Sequence, residues 1–417
     1  MDQQNYSQPK YNIGLLGNVA AGKSATVKAF TGIETFKFAK EREKGITMKI
    51  GYANCKIFKC PICPEPECYF PTSSKVKNYL CDKCKIDCVL AQYFSFIDCP
   101  GHESLMNIML SGATIMDYAI LLIDGSQKCP QSQTVEHLMA LEILQIKKII
   151  IIQNKLDIID TNKALEQYQD ILKFVKGTIA ESAPIIPFTA QKMYNMDVFC
   201  EFIIKYFGLT DRLDTTPKMN IIRSFDVNKP GSDIADITGG VLGGSLITGK
   251  LKIGDIIEIR PGIVQKNDAQ KITWQPLTTT IVSIKTDLDN LDVAMPGGLI
   301  GLCTNLDPVL TRSDRMVGQV IGLPGFMPNV FMEITAKCMF LQQIGISGIK
   351  VVPPAAKSTL LLNISSKPVQ AIVKKTKKFL YMFELKYPCC MSIGEKFSIS
   401  SKFGESWRLI GTGTLKN

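Results

Sequence analysis

Short apolar runs alternate with amphipathic segments over the first half of the chain. The apolar runs predict buried strands at residues 11–17, 118–124, 148–153 and 183–188. The segments after Gly22, Gln131, Asn162 and Asn195 have the apolar spacing of amphipathic helices. Strands that alternate with helices predict crossover units and a mainly parallel sheet covered on both faces. Residues 48–58 and 89–98 are strand-like without a helix between them, which predicts a hairpin-like connection that carries an insertion at about residues 55–90.

The pattern changes to an all-β one at about residue 209. Eight glycines lie between Gly231 and Gly262, and short β-branched runs such as GKLKIGDIIEIR at residues 249–260 stand between turn signals. Gly and Pro crowd again at residues 322–328, where we expect a second boundary. The prediction is an α/β domain at residues 1–208, a β-barrel at 209–324 and another β-barrel at 325–417.

Length and composition agree with a multidomain globular protein. A chain of 417 residues exceeds the roughly 250–300 residues at which one hydrophobic core stops growing. No apolar run approaches the roughly 20 residues that a membrane-spanning helix needs. Residues 1–10 are polar and lack the apolar segment of a secretory signal, so we expect a cytoplasmic protein without a membrane association.

The net charge of +10 is concentrated near the C-terminus. Residues 1–208 hold 23 basic and 21 acidic side chains, residues 209–327 hold 12 and 13, and residues 328–417 hold 13 and 4. A basic module beside near-neutral ones is typical of a polyanion partner, most often a nucleic acid. The alternative is a lysine-rich surface that serves only solubility.

A phosphate-binding loop follows the first predicted strand. The stretch GNVAAGKS at residues 17–24 has the spacing G-x-x-x-x-G-K-S between a strand and a helix. Backbone N–H groups of such a loop wrap phosphates, the lysine reaches the β- and γ-phosphates, and the serine hydroxyl binds Mg²⁺. The predicted nucleotide-binding residues here are Gly17, Asn18, Val19, Ala20, Ala21, Gly22, Lys23, Ser24 and Ala25.

Three further stretches favour a guanine nucleotide. Asp98 and Gly101, in DCPGH, can hold Mg²⁺ through water and offer an N–H to the γ-phosphate. The stretch NKLD after the Ile-rich strand places a carboxylate where it can accept hydrogen bonds from N1 and N2 of guanine, groups that adenine lacks in that pattern. A loop after the next strand can bind the guanine O6. These stretches exclude an ATPase, and their candidate residues are Asn154, Lys155, Asp157, Thr189, Ala190 and Gln191.

In order and detail these motifs resemble those of the translational GTPases, and most closely those of the gamma subunits of eukaryotic and archaeal translation initiation factor two. The resemblance runs from about Tyr11 to the end of the chain. It includes stretches beyond the GTPase motifs, namely GITMKIGYAN at residues 45–54, APIIPFTAQ at 183–191, RSFDVNKPG at 223–231, RPG at 260–262 and DRMVGQV at 314–320.

The resemblance implies a P-loop GTPase domain followed by two β-barrels, with GTP or GDP and Mg²⁺ as cofactors. It also implies that Thr47 joins Mg²⁺ and the γ-phosphate in the GTP state and that His102 positions the attacking water. The chain departs from the family pattern at Asn18 and Ala21, where histidines are usual, and at Gly45, where asparagine is usual. We therefore expect slow intrinsic hydrolysis that needs a GTPase-activating partner. His137, the other histidine of the chain, lies on a predicted helix, where a structural or surface role is expected.

Seven of the 14 cysteines fall between residues 55 and 88. Two C-x2-C pairs separated by 17 residues have the spacing of a structural zinc site. The predicted ligands are Cys60, Cys63, Cys81 and Cys84, and Cys68 and Cys88 remain alternatives. A cysteine-rich loop without a metal is the other possibility.

For partners, the resemblance implies methionyl initiator tRNA, the small ribosomal subunit, alpha and beta subunits of a heterotrimer, and activating and exchange factors. It places Tyr52 where a ring can stack on the terminal adenine of tRNA, and a tyrosine packed in the sheet is the alternative. Four lysines at residues 374, 375, 377 and 378 are candidate phosphate contacts. The alternatives are an elongator or selenocysteine-type tRNA carrier and a GTP-gated scaffold that does not hydrolyse GTP.

Overall fold

A computed structural model describes most of the chain. The described residues are 7–35, 47, 49–102, 105–208, 212–213, 215–229, 231, 233, 237–267, 271–287, 289–344 and 348–416. The chain forms two compact units, Met1–Thr210 with Gln343–Ile349, and Asp211–Gln342 with Lys350–Asn417. Gly45 lies outside the described residues. Among the described helices, none is both long enough and apolar enough to cross a membrane.

A seven-stranded sheet forms the centre of the first unit. Its strands are β1 (Asn12–Gly17), β2 (Gly51–Lys59), β3 (Tyr69–Ser73), β4 (Val89–Asp98), β5 (Tyr118–Asp124), β6 (Ile149–Asn154) and β7 (Ile185–Pro187). The spatial order is β3-β2-β4-β1-β5-β6-β7, with β4, β1, β5, β6 and β7 parallel and β2 antiparallel to both of its neighbours. Because β1, β5 and β6 are buried along their whole length, their sequences are almost entirely apolar.

Five helices connect these strands in the described part of the unit. They are α1 (Lys23–Thr31), α2 (Met106–Ala113), α3 (Ser132–Leu144), α4 (Thr161–Val175) and α5 (Met196–Tyr206). Four begin within two residues of the predicted positions, and the side chain of Asp160 caps α4 by accepting a hydrogen bond from the Lys163 N–H at 3.0 Å. Helix α2 is not predicted by the pattern, because it is short and follows a loop rather than a strand end. Strand β3, in the cysteine-rich insertion, is likewise not predicted, and β7 covers only part of the strand predicted at residues 183–188.

The second unit begins with a closed barrel. Its strands are β8 (Lys218–Phe225), β9 (Val241–Thr248), β11 (Ile256–Lys266), β12 (Ile272–Lys285), β15 (Ile300–Thr304) and β16 (Val320–Gly322), with the short strands β10 (Leu251–Lys252), β13 (Asn290–Leu291) and β14 (Val293–Ala294) and the short helix α6 (Pro308–Thr311) beside them. Pairing of β11 with β12 closes the ring β11-β16-β8-β9-β15-β12. A core of Ile, Leu and Met side chains fills it.

The family-like stretches of this barrel contact one another. The carboxylate of Asp314, in DRMVGQV, accepts hydrogen bonds from the Arg223 side chain and the Ser224 N–H, both at 3.0 Å. The Gln319 side chain pairs with both backbone groups of Gly262, in RPG, at 2.8 and 3.1 Å. These stretches therefore have a structural role: they join the segment before β16 to the strands β8 and β11.

A second closed barrel completes the unit. It contains β17 (Asn329–Phe340), β20 (Thr359–Ile364), β21 (Lys367–Lys377), β22 (Leu380–Met391), β23 (Lys396–Phe403) and β24 (Ser406–Leu415), and the short strands β18 (Gln343–Ile344) and β19 (Ile349–Lys350) fall between β17 and β20 in sequence. The ring order is β17-β22-β21-β20-β23-β24, closed by β17 with β24. The predicted fold class, an α/β domain with a mainly parallel sheet followed by two β-barrels, is confirmed.

Candidate nucleotide site and cysteine centre

The P loop joins β1 to α1. Gly22 has a φ of +96°, and a Cβ added there would lie 2.2 Å from Nδ2 of Asn154, so the position requires glycine. The Lys23 ammonium donates hydrogen bonds to the carbonyl oxygens of Gly17 at 2.8 Å and Asn18 at 2.7 Å. Burial lowers the pKa of Lys23 to about 8, although the nearby Asp98 carboxylate acts in the opposite direction. The loop therefore contains a buried positive charge that a bound phosphate can neutralise.

Oxygen atoms from three segments meet beside the P loop. The Ser24 hydroxyl donates a hydrogen bond to Oδ2 of Asp98 at 2.6 Å and lies 3.2 Å from Oγ1 of Thr47. Thr35, which no sequence motif identifies, donates to the same Asp98 oxygen at 2.5 Å. Hydroxyl and carboxylate oxygens are the ligands that Mg²⁺ prefers, so these residues fit the expected ion. Thr35 lies in a stretch whose sequence gives no sign of this contact.

The stretch after β4 lies against the P loop. A Cβ added to Gly101 would lie 2.5 Å from Nζ of Lys23 and 2.8 Å from the Gly17 carbonyl oxygen. A side chain at this position would therefore displace the phosphate-binding lysine. His102, the next residue, is exposed, and its carbonyl accepts a hydrogen bond from the Leu105 N–H at 2.9 Å. His102, which is predicted to position water, is therefore the residue directly after the glycine that contacts the P loop.

Asn154 joins the P loop to the predicted base-binding loop. Its side-chain amide donates to the Ala21 carbonyl at 2.9 Å, and its side-chain oxygen accepts from the Ala190 N–H at 3.1 Å. Asp157 is exposed, which leaves its carboxylate accessible to a base, whereas Thr189 is buried beside Ala190. All these residues lie at the carboxyl ends of parallel strands, where ligands bind in open α/β sheets.

Lys155 forms an ion pair that fixes the same edge of the sheet. Its ammonium lies 2.7 Å from Oδ2 of Asp124, at the end of β5. Burial raises the pKa of Asp124, but hydrogen bonds from Lys155 and Ser126 outweigh it and lower the pKa below its ordinary value. Asp124, which motif analysis did not identify, therefore anchors the loop that is predicted to bind guanine.

Four cysteine sulfurs converge in the insertion between β2 and β4. The Sγ atoms of Cys60, Cys63, Cys81 and Cys84 all lie within 4.8 Å of one another. The closest separations are 3.2 Å for Cys60 to Cys84, 3.6 Å for Cys63 to Cys81 and 3.8 Å for Cys63 to Cys84. Tetrahedral zinc with Zn–S bonds of about 2.3 Å requires sulfurs about 3.8 Å apart, so the cluster fits the ion.

Backbone amides favour the thiolate at the first cysteine of each pair. A hydrogen bond from the Cys63 N–H lowers the pKa of the Cys60 thiol to about 6. A hydrogen bond from the Cys84 N–H likewise lowers the pKa of Cys81. Each C-x2-C turn thus directs amides at its first cysteine and favours the thiolate, the form that binds metal. Cys68 and Cys88 are outside the four-sulfur group that the described residues form.

The predicted tRNA-binding residue has an ordinary place in the sheet. Tyr52 lies in β2 opposite Ile97 of β4 and is partly buried. Part of the side chain is therefore packed in the sheet, and part is exposed to solvent.

Comparison with known proteins identifies the family. The Elongation factor Tu GTP binding domain family matches residues 8–208, and the family Initiation factor eIF2 gamma, C terminal, matches residues 332–415. The eukaryotic translation initiation factor 2 subunit gamma of Schizosaccharomyces pombe is 46% identical over 414 residues, which cover 97% of this chain and 93% of the relative. The chain belongs to the gamma-subunit family of translation initiation factor 2. Subunit 3 of the Drosophila melanogaster factor is 45% identical over 98% of this chain and 89% of its own length.

Solved structures support the gamma-subunit fold more broadly. A bacterial selenocysteine-specific elongation factor, EF-Sec, superposes with a TM-score of 0.72 at 18% identity over 98% of this chain. This chain spans 58% of the length of that EF-Sec chain. The elongation factor SelB of Methanococcus maripaludis, in complex with the GTP analogue GppNHp, gives 0.71 at 19% identity over 99% of this chain and 80% of its own. At such identities the likeness concerns the fold alone.

Family membership and site agree on the activity. The chain is a GTPase of translation initiation, and this gamma-subunit family implies GTP or GDP and Mg²⁺. The contacts that sequence motifs did not reveal, those of Thr35 and Asp124, support the loops that the motifs form.

Proposed function

We propose that the GTP-bound chain carries methionyl initiator tRNA to the small ribosomal subunit and that start-codon recognition is coupled to GTP hydrolysis. The near-full-length identity of 46% to a gamma subunit carries this proposal, because it extends through both barrels. The proposed working parts are a GTP-binding domain at 1–208 and barrels at 209–324 and 325–417. The strands of the sheet and of the two rings fall within these ranges.

A basic projection on the second barrel supports an RNA partner. All residues from Lys374 to Leu380, at the end of the β21–β22 hairpin, are exposed, and the Phe379 ring is 66% exposed. Within the described residues, Lys374 is the one lysine of this run with an ion pair, to Glu384 at 2.8 Å. Unpaired lysines beside an exposed aromatic ring suit phosphates and bases.

The test compares three RNAs at one salt concentration. GTP-loaded protein is titrated with methionyl initiator tRNA, deacylated initiator tRNA and an elongator aminoacyl-tRNA. We expect preference for the methionylated initiator, and loss of that preference with GDP. Equal binding of all three would contradict the carrier role and assign specificity to other subunits. Binding of the elongator aminoacyl-tRNA as tight as that of methionyl initiator tRNA, with deacylated tRNA bound more weakly, would favour the elongator-type carrier.

The contribution of the hairpin can be measured separately. Removing one lysine from a phosphate reduces the slope of log affinity against log salt by about 0.9 for duplex nucleic acid. Replacing Lys375 and Lys377 with alanine should therefore lower the slope by up to about 2. Lys402→Ala, at an exposed lysine on β23 of the same barrel, is the matched control. Identical slopes for all three proteins would remove the hairpin from the RNA site.

We also propose that Thr47 and His102 serve hydrolysis. Thr47 lies beside the Ser24 hydroxyl, and His102 follows the glycine that contacts Lys23. Single-turnover GTP hydrolysis in a start-codon complex with an activating protein should fall by at least about a hundredfold in His102→Ala, in line with general acid–base contributions. Absence of hydrolysis in the unaltered protein under these conditions would instead favour the GTP-gated scaffold.

The four-cysteine cluster is proposed to hold one structural zinc ion through Cys60, Cys63, Cys81 and Cys84. Four thiolates complete a tetrahedron and leave no position for a reacting ligand, so the ion would stabilise the insertion. The sulfur separations and the amide hydrogen bonds support this ligand set over one that includes Cys68 or Cys88. Metal content of the purified protein, measured after removal of loosely bound ions, tests it.

Alpha and beta subunits are proposed as the other partners of a heterotrimer. The outer face of α4 supports such contacts, because Leu165, Tyr168 and Leu172 are 60%, 37% and 38% exposed at helical spacing. An exposed apolar stripe of this kind is typical of an interface. Leu165→Glu with Leu172→Glu should release one subunit in co-purification, while Lys163→Glu, at an exposed position of the same helix, should not.

A further inference from the structure

Helix α3 contacts the first residue of the P loop through a buried histidine. Nδ1 of His137 accepts a hydrogen bond from the Gly17 N–H at 3.0 Å, across 120 positions of sequence. The side chain of His137 is 1% exposed. Of the two roles expected from sequence, structural or surface, the burial rules out the second, and the contact connects His137 to the nucleotide site.

The imidazole is suited to accept this hydrogen bond. Burial, and then the positive charge of Lys23, lowers the pKa of His137 to about 3. The ring is therefore neutral near pH 7, and its proton lies on Nε2 because Nδ1 accepts from the backbone. A neutral acceptor beside Lys23 also avoids placing a second cation next to the phosphate-binding ammonium.

The peptide groups at the start of the loop are held on both sides. His137 holds the Gly17 N–H, while the Lys23 ammonium holds the Gly17 carbonyl. The Asn18 side chain donates to Oε1 of Gln131, the residue before α3. Gly17 has a φ of +144°, and a Cβ there would lie 2.4 Å from the Leu122 carbonyl oxygen, so the backbone itself is constrained. The following amides can face a phosphate only while this start of the loop keeps its orientation.

We propose that His137 is a positioning residue of the nucleotide site, which holds the start of the P loop and so slows nucleotide release. The role does not depend on tRNA binding and concerns the GTPase activity alone. The Gly17 N–H is buried and donates to His137, so removing the imidazole takes an acceptor away from a buried donor. Losing an acceptor in this way should increase the nucleotide dissociation rate by about tenfold, the factor that corresponds to about 1.4 kcal/mol.

The experiment follows the release of a fluorescent GDP analogue from the full chain after addition of excess GDP. His137→Leu removes the acceptor at similar volume and should release the analogue about tenfold faster. His137→Asn places an amide oxygen near the former Nδ1 and should stay within about threefold of the unaltered protein. Leu141→Ala, one turn further along α3 and fully buried, loosens helix packing without removing a loop contact and should leave release unchanged.

Urea unfolding of the nucleotide-free proteins separates positioning from stability. The proposal fails if His137→Leu unfolds more easily but releases the analogue at the unaltered rate, which is the result of a purely structural role. It also fails if His137→Asn is as fast as His137→Leu, since the acceptor would then be irrelevant. Equal acceleration in Leu141→Ala would attribute the effect to helix packing.

Discussion

Asn154 connects two loops of the nucleotide site, and its replacement by alanine tests the arrangement most directly. The side chain is 1% exposed and makes two hydrogen bonds, to the Ala21 carbonyl and from the Ala190 N–H. Alanine removes both bonds and leaves both backbone groups without these partners. The substitution also opens space beside Gly22, because the side-chain amide nitrogen of Asn154 lies close to Gly22.

The expected cost follows from these two contacts. Each buried hydrogen bond contributes about 1 kcal/mol net, and each partner left unpaired costs about 1 kcal/mol or more. We therefore expect Asn154→Ala to lower the unfolding free energy of the GTPase domain by about 2–4 kcal/mol. Because both partners belong to nucleotide-binding loops, GDP affinity should also fall by at least about 2 kcal/mol, which is about thirtyfold.

Gln153 provides the matched control on the same strand. It is 3% exposed and also makes two side-chain hydrogen bonds, both at 2.9 Å, but to the Ala164 carbonyl and the Gln167 side chain on α4. Gln153→Ala should therefore lower stability by a similar amount and leave GDP affinity within about threefold.

Equilibrium titration with a fluorescent GDP analogue and urea unfolding measure the two quantities. The reasoning is refuted if Asn154→Ala weakens binding less than threefold. It is also refuted if Gln153→Ala weakens binding as much as Asn154→Ala, because general destabilisation would then explain the weaker binding.

Three further predictions concern the other parts of the site. Gly101→Ala should weaken GTP binding more than GDP binding in parallel titrations, because its Cβ would lie 2.5 Å from Nζ of Lys23, beside the predicted γ-phosphate position. Cys63→Ser should lose the zinc that elemental analysis detects, whereas Cys68→Ser should keep it. The folded-state pKa of His137, about 3, lies below the unfolded value of about 6.5, so the unfolded state binds more protons between these pH values. Its contribution to the unfolding free energy should therefore fall by up to about 1.4 kcal/mol per pH unit below 6.5, and urea unfolding at pH 7 and 5 should show a smaller difference in His137→Leu.

The positions of the nucleotide motifs were predictable because strand pattern and motif position reinforce each other. A motif that follows a buried parallel strand must lie at the carboxyl edge of the sheet, so Gly17, Asp98 and Asn154 had to approach one another once the strand order placed β4, β1, β5 and β6 side by side. Alternation of strands and helices fixed the fold class for the same reason. The site roles of these residues stay predictions until nucleotide binding is measured.

Contacts between distant side chains were not predictable in this way. Thr35 meets Asp98 across 63 positions and His137 meets Gly17 across 120, and each depends on where a neighbouring segment packs. Cysteine spacing alone left six candidate zinc ligands, because Cys68 and Cys88 lie close to the two pairs in sequence and only the path of the loop decides which sulfurs converge. Closure of the two barrels likewise depends on strand pairs that are distant in sequence, such as β8 with β16 and β17 with β24.

Asn18 and Ala21, the two departures from the family pattern in the P loop, both make contacts that fix this loop. The Asn18 side chain donates to Gln131 and its carbonyl accepts from Lys23, while the carbonyl of the fully buried Ala21 accepts from Asn154. Neither side chain carries a titratable group that could transfer a proton. Thr47 and His102 therefore remain the groups that we propose for hydrolysis, and we expect the P loop to act through the orientation of its amides. Because the P loop offers no proton-transfer group at these two positions, we still predict slow intrinsic turnover that needs an activating protein.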